Sequence, residues 1–150
     1  MPKRGAERAA ANPHPKARLR AALAWTATIA YMALLFWLSS RPGDVVGRWN
    51  FLRVPDYVLH GAAYLVLGAL AHLAFATSFR WPSWLRACAA IVLASLYGVT
   101  DEVHQVFVPG RIASWQDVLA DAAGAAVGQV PFLVRPVADR IGENCERIPD

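Results

Sequence analysis

The sequence predicts an all-α membrane protein with about four transmembrane helices in one small bundle. Of its 150 residues, 56% are hydrophobic and 17% are charged, whereas a soluble domain carries roughly 25% charged residues. The apolar residues are concentrated in four runs, and each is long enough to cross the ~30 Å hydrocarbon core of a bilayer as a helix. The two cysteines, Cys88 and Cys145, form neither a disulfide framework nor a zinc-binding spacing.

The first span is predicted at residues 19–38, where Arg20 is the single charged residue. Residues 1–18 before it are polar, basic and interrupted by proline, which predicts a disordered tail. The apolar run exceeds the ~7–15 residues of a signal-peptide core, and no small-x-small cleavage pattern follows it. We therefore expect a retained helix, followed by a loop over residues 39–55.

The second span is predicted at residues 56–77 and the third at residues 84–100, with a short link between them. A polar stretch, DEVHQVFVPGRIAS, separates the third span from the fourth, which is predicted at residues 115–134. Residues 19–134 therefore form the predicted four-helix membrane domain, and residues 135–150 form a polar tail.

The distribution of Lys and Arg predicts the orientation of the chain in a bacterial cytoplasmic membrane. Eleven of the fifteen flank the spans on the side of both termini, and four lie on the other side. Because positive residues are enriched in cytoplasmic segments, we expect the N and C termini to be cytoplasmic. This flanking charge accounts for the net charge of +4, so no nucleic-acid partner is expected.

Most side chains that could bind or react are predicted at one end of the bundle. The second and fourth spans begin on the side where the third span ends, so polar groups at these three points face one side in either orientation. By the charge distribution, that side is extracytoplasmic. The predicted polar cluster comprises Asp56, His60, Asp101, Glu102, His104, Gln105, Arg111, Asp117 and Asp121.

Asp121 is the most informative member of this cluster. It lies six residues past Trp115, about 9 Å along a helix axis, where a carboxylate facing lipid costs ~3 kcal/mol. We therefore expect it to face the bundle and to find a partner among His60, His104 and Arg111. The structural alternative is a polar clasp between helices, worth ~0.6 kcal/mol per contact.

Helical spacing constrains the end of the third span. If the helix continues past Thr100, Tyr97 shares a face with Asp101, His104 and Gln105, and Glu102 points about 100° away from Asp101. The helix is then expected to end near here, or Glu102 to sit at its boundary.

Four glycines are predicted to mediate helix packing. Gly124 and Gly128 form a GxxxG motif, which lets a neighbouring helix approach closely. They share a helical stripe with Asp121, so this contact is expected to present the acidic residues. Gly61 and Gly68, seven residues apart, are expected to act in the same way on the second span.

Two further residues are interpreted from their position. The segment Val108-Pro109-Gly110-Arg111 predicts a turn, because Pro fixes φ and Gly supplies a positive φ. Arg111 is thereby placed near the cluster, where it could neutralise a carboxylate or bind an anionic head group; the alternative is a solvated loop arginine. His72, roughly 18 Å deeper than His60, is expected to be a packing histidine.

The runs DYVLHGAAYLVLG and LYGVTDEVHQVFVPGRIASWQDVLADAAGAAVG resemble the VanZ-like family of small bacterial membrane proteins, over about residues 35–130. The compound motif is Asp-Glu-x-x-Gln, then Pro-Gly-Arg, then Asp-x-x-x-Asx-x-x-Gly. Tyr57 stands where the family commonly has lysine and Asp121 where it commonly has asparagine, which makes the site more negative and weakens the case for anion binding. The resemblance implies a membrane location and a cell-envelope role. The founding member's association with resistance to the glycopeptide teicoplanin is a weaker implication.

Three functions remain open on this basis. The first is a non-catalytic envelope protein that binds a membrane lipid or a lipid-linked cell-wall precursor at the outer face. The second is an intramembrane hydrolase or transferase acting on a lipid-linked substrate, with His and carboxylates as acid and base or as ligands of a divalent metal such as zinc or manganese. No His-Glu-x-x-His motif is present and Ser114 is the single serine near the cluster, so catalytic residues and metal ligands stay unassigned. The third is an ion-coupled transporter, for which four spans are few unless an oligomer builds the pore.

Overall fold

The computed structural model of the protein describes residues 15–50 and 53–134. Five helices form within these ranges: α1 (Pro15–Ser39), α2 (Gly43–Trp49), α3 (Asp56–Ser78), α4 (Ser83–Gln105) and α5 (Trp115–Val127). Four helical segments are long and apolar enough to cross a membrane, namely α1, α3, α4 and Trp115–Val134. The prediction of an all-α membrane protein with about four transmembrane helices is confirmed. Positions 1–14 and 135–150 of the two predicted tails lie outside the described residues.

Two helix boundaries differ from the sequence prediction. Residues 15–18 are helical and belong to α1 rather than to the predicted disordered tail. α4 continues to Gln105 rather than ending near Thr100. The polar residues after Thr100 are therefore helical, which fixes the directions of their side chains.

The prediction of a loop over residues 39–55 is wrong in part, because α2 lies inside it. Asp44 is in the first turn of α2 and Arg48 is in its last turn, an arrangement that the helix macrodipole favours. Their side chains also pair at 3.2 Å with i, i+4 spacing. A seven-residue helix is too short for a hydrophobic period to reveal it, so the prediction missed it.

The fourth span contains a break that Pro131 explains. Backbone helix is interrupted by a turn at Gly128 and Gln129 and resumes up to Val134. Pro131 has no N–H to donate to Val127, and its ring crowds that carbonyl group. The turn is closed instead by a hydrogen bond that spans three residues rather than four, from Gln129 N to Ala126 O at 3.0 Å.

α3 occupies the centre of the bundle. It contacts α1, α4 and α5, and its most extensive interface is with α5. α1 and α4 end where α3 and α5 begin, and we call this end of the bundle the cluster end. α3 and α5 therefore run parallel to each other.

Glycine permits the close approach of α3 and α5. A Cβ atom on Gly124 would overlap the carbonyl oxygen of Gly61, and one on Gly128 would overlap the carbonyl oxygen of Leu65. A Cβ atom on Gly68 would lie 2.8 Å from backbone atoms of Ala125. The four glycines of the sequence analysis therefore all lie in this interface, where small residues let helix backbones meet in membranes.

The connections at the cluster end are tied together by backbone hydrogen bonds. Arg111 N donates to Val108 O at 3.1 Å, and Gly110 adopts a φ of +73°, as in a type II turn with Pro at the second position. Gly43 N, at the start of α2, donates to Pro109 O at 3.1 Å. α2 and the Pro-Gly-Arg turn are thus packed against each other.

Candidate functional site

His60 and Asp121 meet across the interface between α3 and α5. His60 Nδ1 lies 3.1 Å from Asp121 Oδ1, and the Asp121 side chain is completely buried. Of the three partners considered from the sequence, His60 is the one in contact. The polar groups of an intramembrane acid are expected to face the bundle interior and pair there, and Asp121 does both.

His104 and Arg111 have other neighbours. His104 Nε2 lies 3.1 Å from Ser40 Oγ, and the imidazole stacks on Phe36 with ring centroids 4.5 Å apart. Arg111 Nη1 lies 3.9 Å from Asp56 Oδ2. His104 therefore points toward the end of α1, while Arg111 belongs to the rim of the cluster, near the exposed carboxylate of Asp56.

Asp101 and Glu102 are both buried, although adjacent helical positions point about 100° apart. Glu102 lies in the last turn of α4, and its Oε2 accepts a hydrogen bond from Ser114 N at 2.7 Å. Asp101 Oδ2 accepts from Gln105 Nε2 at 3.2 Å. The Glu102 side chain is buried because the chain leading into α5 lies over it. The Asp101 side chain points in the other direction, where it lines a cavity.

Ser114 serves as the N-cap of α5. Its hydroxyl oxygen accepts a hydrogen bond from Gln116 N at 3.2 Å, the usual role of serine at this position. Its backbone N–H is the group that holds Glu102. The structure thus gives this serine two structural bonds, and the adjacent Asp117 is buried in the first turn of the same helix.

Gly98 is a site residue that the sequence analysis missed. A Cβ atom at this position would lie 2.5 Å from Asp121 Oδ2, so only glycine leaves room for that carboxylate against α4. The available signal was its spacing, since Gly98 stands one helical turn before Asp101 on the same face.

Three side chains at the cluster end could hold a metal ion together. His60, Asp101 and Glu102 each offer one ligand atom, and these atoms all lie within 4.8 Å of one another. His60 Nε2 lies 3.9 Å from Glu102 Oε1. Mixed imidazole and carboxylate ligands suit zinc or manganese.

A cavity of about 380 Å³ opens beside this group. Its walls come from the end of α1, from α2 and from the first turns of α3, and its polar floor comes from α3, α4 and the Pro-Gly-Arg turn. The apolar lining residues are Leu35, Leu38, Val46, Trp49, Val54, Leu59 and Ala63, and the polar ones are Ser39, Asn50, Asp56, His60, Tyr64, Asp101, Gln105 and Arg111. A smaller cavity of about 190 Å³ adjoins it and shares Arg111.

Several polar atoms buried at the cluster end have no hydrogen-bond partner within the described part of the chain. Ser39 Oγ, Tyr64 Oη and Asp101 Oδ1 belong to residues that line the larger cavity, and Arg111 Nε belongs to a residue that lines both cavities. A buried polar group without a partner costs free energy, so each such group calls for an explanation. Their concentration around one cavity indicates a ligand, an ion or water.

His72 lies away from the cluster. Its Nδ1 atom is 2.8 Å from Gln129 Oε1, and its ring stacks on Phe132 with centroids 4.1 Å apart. The side chain is buried and paired. The expectation of a packing histidine agrees with this environment.

Comparison with known proteins identifies a family. The family model described as VanZ/LLP1 matches residues 22–135, about three quarters of the chain. The matched segment contains α2, α3, α4 and α5, most of α1 and all residues of the cluster. No curated protein and no solved structure matches the chain.

Proposed function

Since the chain belongs to the VanZ/LLP1 family, we propose that it is a cell-envelope protein that binds the polar end of a membrane lipid or of a lipid-linked cell-wall precursor. The cavity at the cluster end is the binding site. In the proposed topology both termini are cytoplasmic, which puts this cavity at the extracytoplasmic face of a bacterial cytoplasmic membrane.

The cavity is the observation that carries the proposal. Its volume of about 380 Å³ falls in the ~300–1,000 Å³ range of small-molecule sites, enough for a head group and the first part of an acyl chain. The lining is mostly apolar, as hydrocarbon requires, and two of its polar residues, Tyr64 and Arg111, each have a buried polar atom without a hydrogen-bond partner in the described residues. An amphiphile with its polar end among the polar lining residues would match both parts of the lining.

The test is to identify the lipids that remain bound after purification. The full chain is extracted in a mild detergent and analysed by native mass spectrometry followed by lipid analysis. Ala63 lines the cavity, so Ala63→Leu fills part of it and is expected to lower the retained lipid by about tenfold or more, the loss expected when roughly 1.4 kcal/mol of binding is removed.

Ala62→Leu is the matched control. Ala62 is the adjacent residue of α3, but it is exposed on the outside of the bundle. The control protein is expected to retain the same lipid as the wild type. Equal lipid retention in both variants and the wild type would contradict the proposed site.

A second candidate is an intramembrane hydrolase or transferase acting on a lipid-linked substrate. The grouping of His60, Asp101 and Glu102 beside the cavity supports it, since these side chains could act as acid, base or metal ligands. Turnover of the retained lipid by wild-type protein, lost in Glu102→Gln, would favour this candidate over simple binding. A changed teicoplanin susceptibility of a deletion strain would extend either function to glycopeptide resistance.

A further inference from the structure

The imidazole of His60 is oriented as a metal ligand would be. A carboxylate oxygen accepts hydrogen bonds, so the 3.1 Å contact with Asp121 Oδ1 favours a proton on Nδ1 of His60. In the neutral imidazole with that tautomer, Nε2 carries the lone pair, and it lies 3.9 Å from Glu102 Oε1. Metal-binding histidines commonly donate their other N–H to a carboxylate in this manner, which fixes the tautomer and the ring orientation.

The two carboxylates of α4 repeat this arrangement. Asp101 Oδ2 is held by Gln105 Nε2 at 3.2 Å, and Glu102 Oε2 is held by Ser114 N at 2.7 Å. The other oxygen of each, Asp101 Oδ1 and Glu102 Oε1, is buried without a hydrogen-bond partner. Each carboxylate is thus held through one oxygen and leaves the other oxygen unsatisfied.

The charge balance of the site also favours a cation. Asp101, Glu102 and Asp121 are 6%, 5% and 0% exposed, and His60 is the only basic side chain that the structure pairs with any of them in the described residues. Taking several carboxylates out of water without counter-charge is strongly unfavourable. A divalent ion at this point would supply the missing positive charge.

The ligand atoms must move together to bind a small metal ion. Bonds of about 2.0–2.2 Å in a tetrahedral site hold ligand atoms roughly 3.4 Å apart, whereas His60 Nε2 and Glu102 Oε1 are 3.9 Å apart and all three ligand atoms lie within 4.8 Å of one another. Side-chain rotation that closes these distances by about 0.5–1.4 Å brings the three to that spacing.

We propose that His60 Nε2, Asp101 and Glu102 bind a divalent zinc or manganese ion, with Asp121, Gln105 and the Ser114 amide orienting the three ligands. His60 and Asp101 also line the 380 Å³ cavity. The remaining coordination position therefore faces the cavity, where an oxygen of a bound head group could occupy it. This inference goes beyond the proposed lipid binding and does not depend on it, because the ligands are in place whether or not the cavity holds a lipid.

The test measures metal content directly. The full chain is purified in detergent, stripped with a chelator, reloaded with Zn²⁺ or Mn²⁺ alone, and analysed by elemental mass spectrometry and by titration. One tightly bound ion per chain is expected. Asp101→Asn and Glu102→Gln, which preserve side-chain shape, are expected to lose the bound ion, and Asp121→Asn is expected to weaken binding by about 10–100-fold, as loss of an orienting group does.

Asp44→Asn is the control, because Asp44 is an exposed acid of α2 that pairs with Arg48 and is not among the three ligands. It is expected to keep one ion per chain. Folding of each variant is checked by gel filtration and helical circular dichroism. Absence of stoichiometric Zn²⁺ or Mn²⁺ in the wild type would overturn the proposal, and so would a metal content equal to that of the wild type in folded Asp101→Asn and Glu102→Gln.

Lipid analysis of the same samples separates the two proposals. Bound metal in a protein that retains no specific lipid would overturn the proposed lipid binding and support the metal site. Specific lipid retained by a protein that takes up no metal would overturn the proposed metal site and support the proposed lipid binding.

Discussion

His60 Nδ1 lies 3.1 Å from Asp121 Oδ1 across the interface of two parallel helices. One turn further along α5, Gly124 meets the backbone of Gly61. The polar contact and the glycine contact are therefore neighbours in one interface, and close packing of the backbones sets the distance between the two side chains. Stability and the candidate site therefore share this interface.

The His60–Asp121 pair is expected to show measurable coupling in metal-free protein. His60→Ala should lower the free energy of unfolding more than Asp121→Asn does, because it leaves a buried carboxylate without its partner. The double variant should be less destabilised than the sum of the two by about 0.6–1.7 kcal/mol, the range for polar contacts between membrane helices. Reversible unfolding in mixed micelles with a chelator present gives the four free energies; strict additivity would show that the contact is not formed.

Gly124→Ala is expected to destabilise the bundle. The added Cβ atom overlaps the carbonyl oxygen of Gly61, and backbone cannot move aside as a flexible side chain can. Overpacking of this kind costs about 1–3 kcal/mol, measured as a fall in unfolding free energy. Gly47→Ala in α2 is the control, since a Cβ atom there meets nothing within 4 Å; it should be neutral or slightly stabilising because alanine is the better helix former.

Gly98→Ala is expected to impair the site more than the fold. Its Cβ atom would lie 2.5 Å from Asp121 Oδ2, so the carboxylate must rotate away from its present position. Metal affinity should then fall by about 10–100-fold, as it does when a group that orients a ligand is lost, while helical content is unchanged. In an Asp121→Ala background the same substitution should have a smaller additional effect on metal affinity, and an equal effect in both backgrounds would contradict this explanation.

The proposed orientation predicts which residues a membrane-impermeant maleimide can reach in intact cells. In a chain with Cys88 and Cys145 changed to serine, Ile112→Cys should be labelled, since Ile112 is exposed at the cluster end. Ser78→Cys, exposed at the opposite end of α3, should be labelled only after the membrane is permeabilised. The reverse pattern would place the cluster at the cytoplasmic face.

The gathering of polar groups at one end was predictable because it depends only on where apolar runs start and stop. Which of these groups touch was less predictable. His104 stands about 60° around the helix from Asp101, enough to direct it toward Ser40, the residue after α1. The role of Gly98 required the position of a side chain from another helix. The cavity wall formed by Leu35 and other residues of α1 and α2 is apolar, so no polar residue in the sequence indicated that these helices line a site.

The hydrogen bond from Gly43 N to Pro109 O has a mechanical consequence. α2 contributes the wall residues Val46 and Trp49, and the turn after Pro109 carries Arg111. This bond links the segment that carries the apolar wall to the turn that carries the arginine. Loss of the bond would therefore loosen an apolar and a polar part of the cavity lining at the same time.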